Sequence, residues 1–128
     1  MKRILALSMT LILGITGMAI AQHEHHEQAK AKTVTMTGEV LDMTCFMVHP
    51  DNAVGMDHAK CAKTCMAKGM PVGFMSTDGT VYLLVNPEHD SVNAKVADFA
   101  GKKSTITGIV QDHHGVKAIE LVSIAAAK

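Results

Sequence analysis

Thr35–Asp42, "TMTGEVLD", returns later in the chain as Thr105–Asp112, "TITGIVQD", with five of eight positions identical. Around the first copy, Val34, Met36 and Val40 fall on one face while Thr33, Thr35, Thr37 and Glu39 fall on the other. Ile106 and Val110 repeat that arrangement. Period-two alternation of this kind predicts half-buried β-strands. Gly38 and Gly108 sit inside the predicted strands, where glycine marks a bulge or a sharp bend. Bent strands are how small barrels close. The match is too short to establish duplication, since two strands meeting one curvature requirement look alike.

Between the two copies, Pro71–Asn86, "PVGFMSTDGTVYLLVN", reads as a hairpin. Asp78-Gly79 is its turn, flanked by apolar runs at 72–75 and 81–85. "DSVNAKVADFAG", residues 90–101, follows as a short helix. Asp90 or Ser91 caps it, Val92, Val96, Phe99 and Ala100 form its apolar stripe, and Gly101 stops it. A polar turn at His113-His114-Gly115 leads into a last strand, "GVKAIELVSIA". The second strand is then preceded by an insertion, residues 45–70, that carries every cysteine. Without it the order is β-β-β-α-β-β, that of an OB-fold, a five-stranded partly open barrel. The expected fold is mainly β: a small five-stranded OB-like barrel with one helix between strands three and four and an inserted Cys/His helix after strand one.

The N-terminus reads differently. Lys2 and Arg3 precede an apolar run over residues 4–20, and Ala19-Ile20-Ala21 is a small-x-small cleavage pattern. Residues 1–21 therefore read as a signal peptide, and the protein as exported, periplasmic or secreted. The run is interrupted by Ser8, Thr10, Thr16 and two glycines, which disfavours a membrane anchor. Residues 22–32, "QHEHHEQAKAK", form a polar leader with His23, His25 and His26, suited to loose metal capture or to a simple spacer. Residues 33–128 form the one expected domain. Of twelve basic and twelve acidic residues, only Lys2 and Arg3 leave with the signal, so the mature chain is near neutral. That balance offers no electrostatic case for nucleic acid or an anionic membrane. The four aromatics, Phe46, Phe74, Tyr82 and Phe99, are thin provision for stacking bases or sugars.

Three cysteines in an oxidising compartment mean a disulfide with a leftover thiol, an intermolecular bridge, or thiolates on a metal. Asp57–Gly69, "DHAKCAKTCMAKG", reads as a helix capped by Asp57 and stopped by Gly69 before Met70-Pro71. At 100° per residue, His58, Cys61 and Cys65 share an arc of about 60°. Cys45, at the end of the first strand and beyond the loop "FMVHPDNAVGM", is placed to supply a fourth ligand. Cys₃His is a usual closed set for zinc, and thiolates also suit Cu(I). The four-ligand set favours zinc; the histidine leader and seven methionines after the signal favour copper. His49 is an alternative to His58, although Pro50 places it in a loop. Most of those methionines read as core filler.

Two other readings stay open. Cys45 paired with Cys61 or Cys65 gives a disulfide-stapled module that binds a periplasmic protein or small ligand. A reactive cysteine pair gives a thiol-redox protein, which requires a thiol of lowered pKa. No haem attachment motif, phosphate loop or nucleophile elbow is present, and Glu39, Asp42 and Glu120 fall singly on strands. No enzyme is expected.

Thr37–Cys45, His58–Pro71 and Gly101–Glu120 together resemble a type of small exported bacterial OB-fold-like protein. Its marks are a T-G-x-V-x-D strand, a cysteine, a Cys/His helix ending in Gly-x-Pro, and a closing "GKK…TG.V…GVKAIE" hairpin. The resemblance implies an OB-like barrel with a metal site at Cys45, His58, Cys61 and Cys65. It implies no activity, because a shared fold does not transfer the functions of other OB proteins.

Overall fold

The computed structural model describes residues 32–128; the stretch expected to be a signal peptide and the expected leader up to residue 31 lie outside the described residues. Five strands run β1 Thr33–Asp42, β2 Val72–Ser76, β3 Val81–Val85, β4 Lys103–His113 and β5 Val116–Ala126. Neighbours follow the order β1-β2-β3-β5-β4, and β4 pairs back onto β1, so the mixed sheet closes in a ring. The β3–β5 pairing is parallel and the others are antiparallel. Among the described residues no helix is long and apolar enough to cross a membrane.

The repeated octapeptides turn out to be neighbours. Met36 lies opposite Ile106, with Thr35 opposite Thr107 and Thr37 opposite Thr105. This register is a local two-fold about the Met36/Ile106 pair, so matching residues exchange places across the ladder. The threonine hydroxyls meet at 3.1 and 3.3 Å on the outer face. Both glycines serve curvature. Gly38 pairs with Ser76 on one side and Ser104 on the other, where the ring turns its corner. A Cβ there would run into the Met75 carbonyl oxygen and the Phe74 ring. At Gly108 the β4–β5 register shifts by one, leaving Val122 without a partner and exposed, and a Cβ would collide with Ile119 and the Glu120 carbonyl.

The 72–76 and 81–85 hairpin and the His113–Gly115 turn stand where the sequence placed them. His114 and Gly115 both have positive φ, as a tight two-residue turn between right-twisted strands requires. The helix expected over 90–101 is shorter: α3 spans Asn93–Val96 and passes into a 3₁₀ turn at Ala97–Phe99. The Ser91 hydroxyl accepts the Asn93 amide, and Val92, Val96 and Ala100 are buried as the stripe predicted.

The insertion departs most from expectation. It holds two helices, α1 Met43–Val48 and α2 Gly55–Ala67, with a 3₁₀ turn at Pro50–Asn52 between them. Cys45 therefore rides on its own helix, not on a strand end followed by a loop. Asp57 does not cap α2, which starts two residues earlier; it lies in the first turn, where its charge suits the helix dipole. Glu39 of β1 accepts the Gly55 amide instead. Ala59, Ala62 and Met66 of α2 are buried, and Ala62 and Met66 join Val40, Phe74, Leu84, Val96, Ile106 and Ile119 in one core. The Asn93 side-chain amide donates to the carbonyls of Met66 and Met70 at 2.9 and 2.8 Å, fastening the C-terminal end of α2 to α3.

Gly38→Ala should destabilise the domain by about 3 kcal/mol or more, because the obstacle is a backbone carbonyl that cannot rotate away. Urea unfolding followed by far-UV circular dichroism checks this. A loss under about 1 kcal/mol would mean that the corner tolerates a side chain.

Candidate metal centre

The geometry starts from α2. Its buried stripe, Ala59, Ala62 and Met66, faces the ring. His58, Cys61 and Cys65 each precede one of those residues by one position, so they form a second stripe about 100° around the helix. Helix α1 stands beside that stripe. It has no buried residue of its own. Asp42 fixes its start by accepting the Thr44 amide at 3.0 Å, and the Met43 amide bonds the Pro71 carbonyl at the far end of the insertion, also at 3.0 Å. These anchors set Cys45 against α2.

The sulfurs of Cys45, Cys61 and Cys65 all lie within 4.8 Å of one another. All three cysteines are free; Cys61 is exposed, and Cys45 and Cys65 are half-buried. A second group adjoins the first: a carboxylate oxygen of Asp42, the Cys45 sulfur and a ring nitrogen of His58 also lie within 4.8 Å of one another. The four residues expected from the sequence are thus brought together, though not as one even tetrad. Cys45 belongs to both groups, and His58 joins through Cys45 and Asp42. His49 is exposed at the C-terminal end of α1 and belongs to neither group.

Asp42 is the residue that the sequence reading missed, having been taken as one of several lone strand acids. It is fully buried. Its Oδ2 has no hydrogen-bond partner among the described residues, and neither does the buried Nε2 of His58. Buried polar atoms are nearly always satisfied, and two such atoms beside three thiols are compatible with a bound ion. The available signal was the "LDMTC" junction, where an acid ends a strand and a cysteine follows within one helical turn. That pattern places a carboxylate at an N-cap and a thiol above it.

The charges are coupled. Burial pushes the Asp42 carboxyl up, but polar contact with the Cys45 and Cys65 thiols and with the amides of Thr44 and Cys45 outweighs it, leaving the group below the ordinary carboxylate value. Those thiols stabilise the charge without giving Oδ2 a well-aligned hydrogen bond. The contact acts in reverse on sulfur. Asp42, then burial, then the charges of Cys61 and Cys65 push the Cys45 thiol up to about 12. Cys65 is raised by Asp42, burial and Cys61, partly offset by Cys45. Without a cation, Cys45 and Cys65 therefore hold their protons at neutral pH.

Three sulfurs, an imidazole nitrogen and a carboxylate oxygen within these distances are compatible with binding a soft or borderline transition ion. Two of the methionines do not act as filler: Met47 and Met56, one on each insertion helix, are 72% and 61% exposed. Met66 is core, and Met36 packs against it.

Comparison with protein-family models, with curated proteins and with solved structures returned no match.

Proposed function

We propose that this is an exported, periplasmic or secreted metal-binding protein, holding one transition ion at Cys45, Cys61 and Cys65 with His58 completing the set, on an OB-like barrel. The observation that carries this reading is the approach of three free sulfurs to within 4.8 Å beside the unpartnered His58 and Asp42 atoms. Zinc as a structural ion leads and copper binding, for sequestration or delivery, follows: a fourth ligand at hand suits tetrahedral zinc, whereas an exposed Cys61 suits an ion that is handed on. The OB-like part is supported by the ring order β1-β2-β3-β5-β4 and by α3 lying between β3 and β4. Export rests on the signal-like start of the sequence. A periplasmic protein that donates or accepts the ion fits the same reading.

The close sulfurs also fit a disulfide, so the decisive experiment separates the two. Protein exported to a bacterial periplasm and purified without metal-affinity resin should carry about one zinc or copper per chain. After chelation under denaturing, non-reducing conditions it should show three free thiols. Cys61→Ser should lose the metal, and deletion of Gln22–Lys32 should keep it. Absence of metal with a single free thiol would overturn the proposal in favour of the disulfide-stapled module. The redox reading asks for a lowered thiol, and Cys45 and Cys65 are both raised.

Opposite pH responses should separate the metal-free and metal-bound forms. The raised thiols favour the metal-free fold below their unfolded pKa, so that contribution is present at neutral pH and is lost as pH climbs above about 9 towards 12. Metal binding displaces the same protons, so affinity should fall with acidification, by up to about a thousandfold per pH unit when three protons are released. Denaturation midpoints of the chelated protein at pH 7 and 10, and zinc competition at pH 6 and 7, measure the two slopes. A pH-independent zinc affinity would mean that the thiols are not the ligands.

A further inference from the structure

Resting on that reading, we infer that the centre is two ligand triads hinged on Cys45, and that the metal's chemistry decides whether the second is used. One triad is all sulfur: Cys45, Cys61 and Cys65. The other is mixed: Asp42, Cys45 and His58, offering oxygen, sulfur and nitrogen. Only the Cys45 sulfur belongs to both, so an ion centred among the three sulfurs does not by geometry engage the histidine as well.

The two triads differ in exposure as well as in donor type. The sulfur triad reaches the surface at Cys61, whereas the mixed triad runs inward to the fully buried Asp42. Both orphaned atoms, Asp42 Oδ2 and His58 Nε2, belong to residues of the mixed triad. Monovalent copper is soft and prefers sulfur donors. Three thiolates serve it without help, and it has no need to recruit the buried oxygen and nitrogen. Zinc is borderline and takes four ligands in a closed site, so three sulfurs leave one vertex to be filled. The donors grouped with the shared Cys45 sulfur are the Asp42 carboxylate and the His58 ring. Zinc therefore pulls His58 into its shell and sits deeper, and Cu(I) stays at the sulfur rim and leaves His58 unligated.

The test is a pair of titrations on the reduced mature chain, with zinc and Cu(I) as probes, each against a competing chelator of known affinity. Co(II) reports the divalent ligand set through its visible spectrum. His58→Ala should weaken zinc by about a hundredfold or more and alter the Co(II) bands, while Cu(I) affinity changes by less than about threefold. Cys61→Ser should weaken both ions. His58→Phe, which keeps a ring in place without a ligand nitrogen, repeats the measurement in case the alanine variant does not fold.

Equal losses of zinc and Cu(I) in folded His58 variants would overturn the inference, showing one four-ligand set for both ions. Unchanged zinc affinity would also overturn it, by removing His58 from the shell. A wild-type chain with three free thiols that binds neither ion would sink the metal-binding proposal itself, an outcome readily told apart from the other two.

Discussion

The seating of α2 on the ring is the contact from which the rest follows. Ala62 and Met66 belong to the same buried cluster as Phe74, Ile106 and Ile119, which come from three different strands. A helix held by such a stripe has no rotational freedom left. Each ligand candidate on α2 stands one residue before a buried neighbour, so the packing that holds Ala59 and the core that holds Ala62 and Met66 also fix His58, Cys61 and Cys65. The stripe of candidate ligands is positioned by hydrophobic packing in which it takes no part. Small alanines at two of the three buried positions let the helix approach closely, and Met66 supplies the bulk.

Opposite α2, the structure relies on a polar contact. Helix α1 buries none of its residues, and six residues are too few to persist as a helix in water. What places Cys45 is Asp42, a buried carboxylate that caps α1 on one oxygen and leaves the other bare. An unneutralised carboxylate in such a position is destabilising unless a charge or donors compensate it. Two protonated thiols compensate it in part, and their raised pKa values are the counterpart of the lowered Asp42 value. A divalent ion would bring positive charge to the place where three thiolates would otherwise repel one another and the carboxylate. The arrangement is balanced for two states, protons on sulfur or metal on sulfur, and poorly balanced for bare thiolates.

The ring was legible in the sequence because its signals are local. Alternation in Thr33–Asp42, the Asp78-Gly79 turn, the positive-φ turn at His114-Gly115 and the two in-strand glycines each act over a few residues, so each survives without tertiary context. The helical stripe of His58, Cys61 and Cys65 was legible for the same reason. What was hidden depended on distant partners. Asp57 looks like an N-cap, yet Glu39, sixteen residues before Gly55, takes the Gly55 amide and lets α2 begin sooner. Helix α1, "MTCFMV", is apolar at five of its six positions, so it shows no polar-apolar contrast from which a helical period could be read. Its conformation depends on the Asp42 cap and on the bond from Met43 to Pro71. Asp42 reads only as a lone acid on its strand; its contacts with the Thr44 amide and with the Cys45 and Cys65 thiols depend on how the insertion folds. The relation of the twin octapeptides as a two-fold pair was likewise invisible, because identity between segments does not specify which strands pair.

These two halves of the structure assign different energetic roles to a bound ion. The core contains no candidate ligand: its members come from the ring, the buried stripe of α2, and the segment around α3. The ring and α2 are therefore packed whether or not a metal is present. Among the described strands and α-helices α1 alone buries no residue, and it carries the one sulfur shared by both triads. An ion bound at Cys45 joins α1 to α2 directly, adding the attachment that α1 lacks. Its binding energy then orders about six residues and is not consumed in folding the whole domain, as it is in a small zinc finger. A site supported in this way could lose a bound ion without losing the fold of the ring and α2.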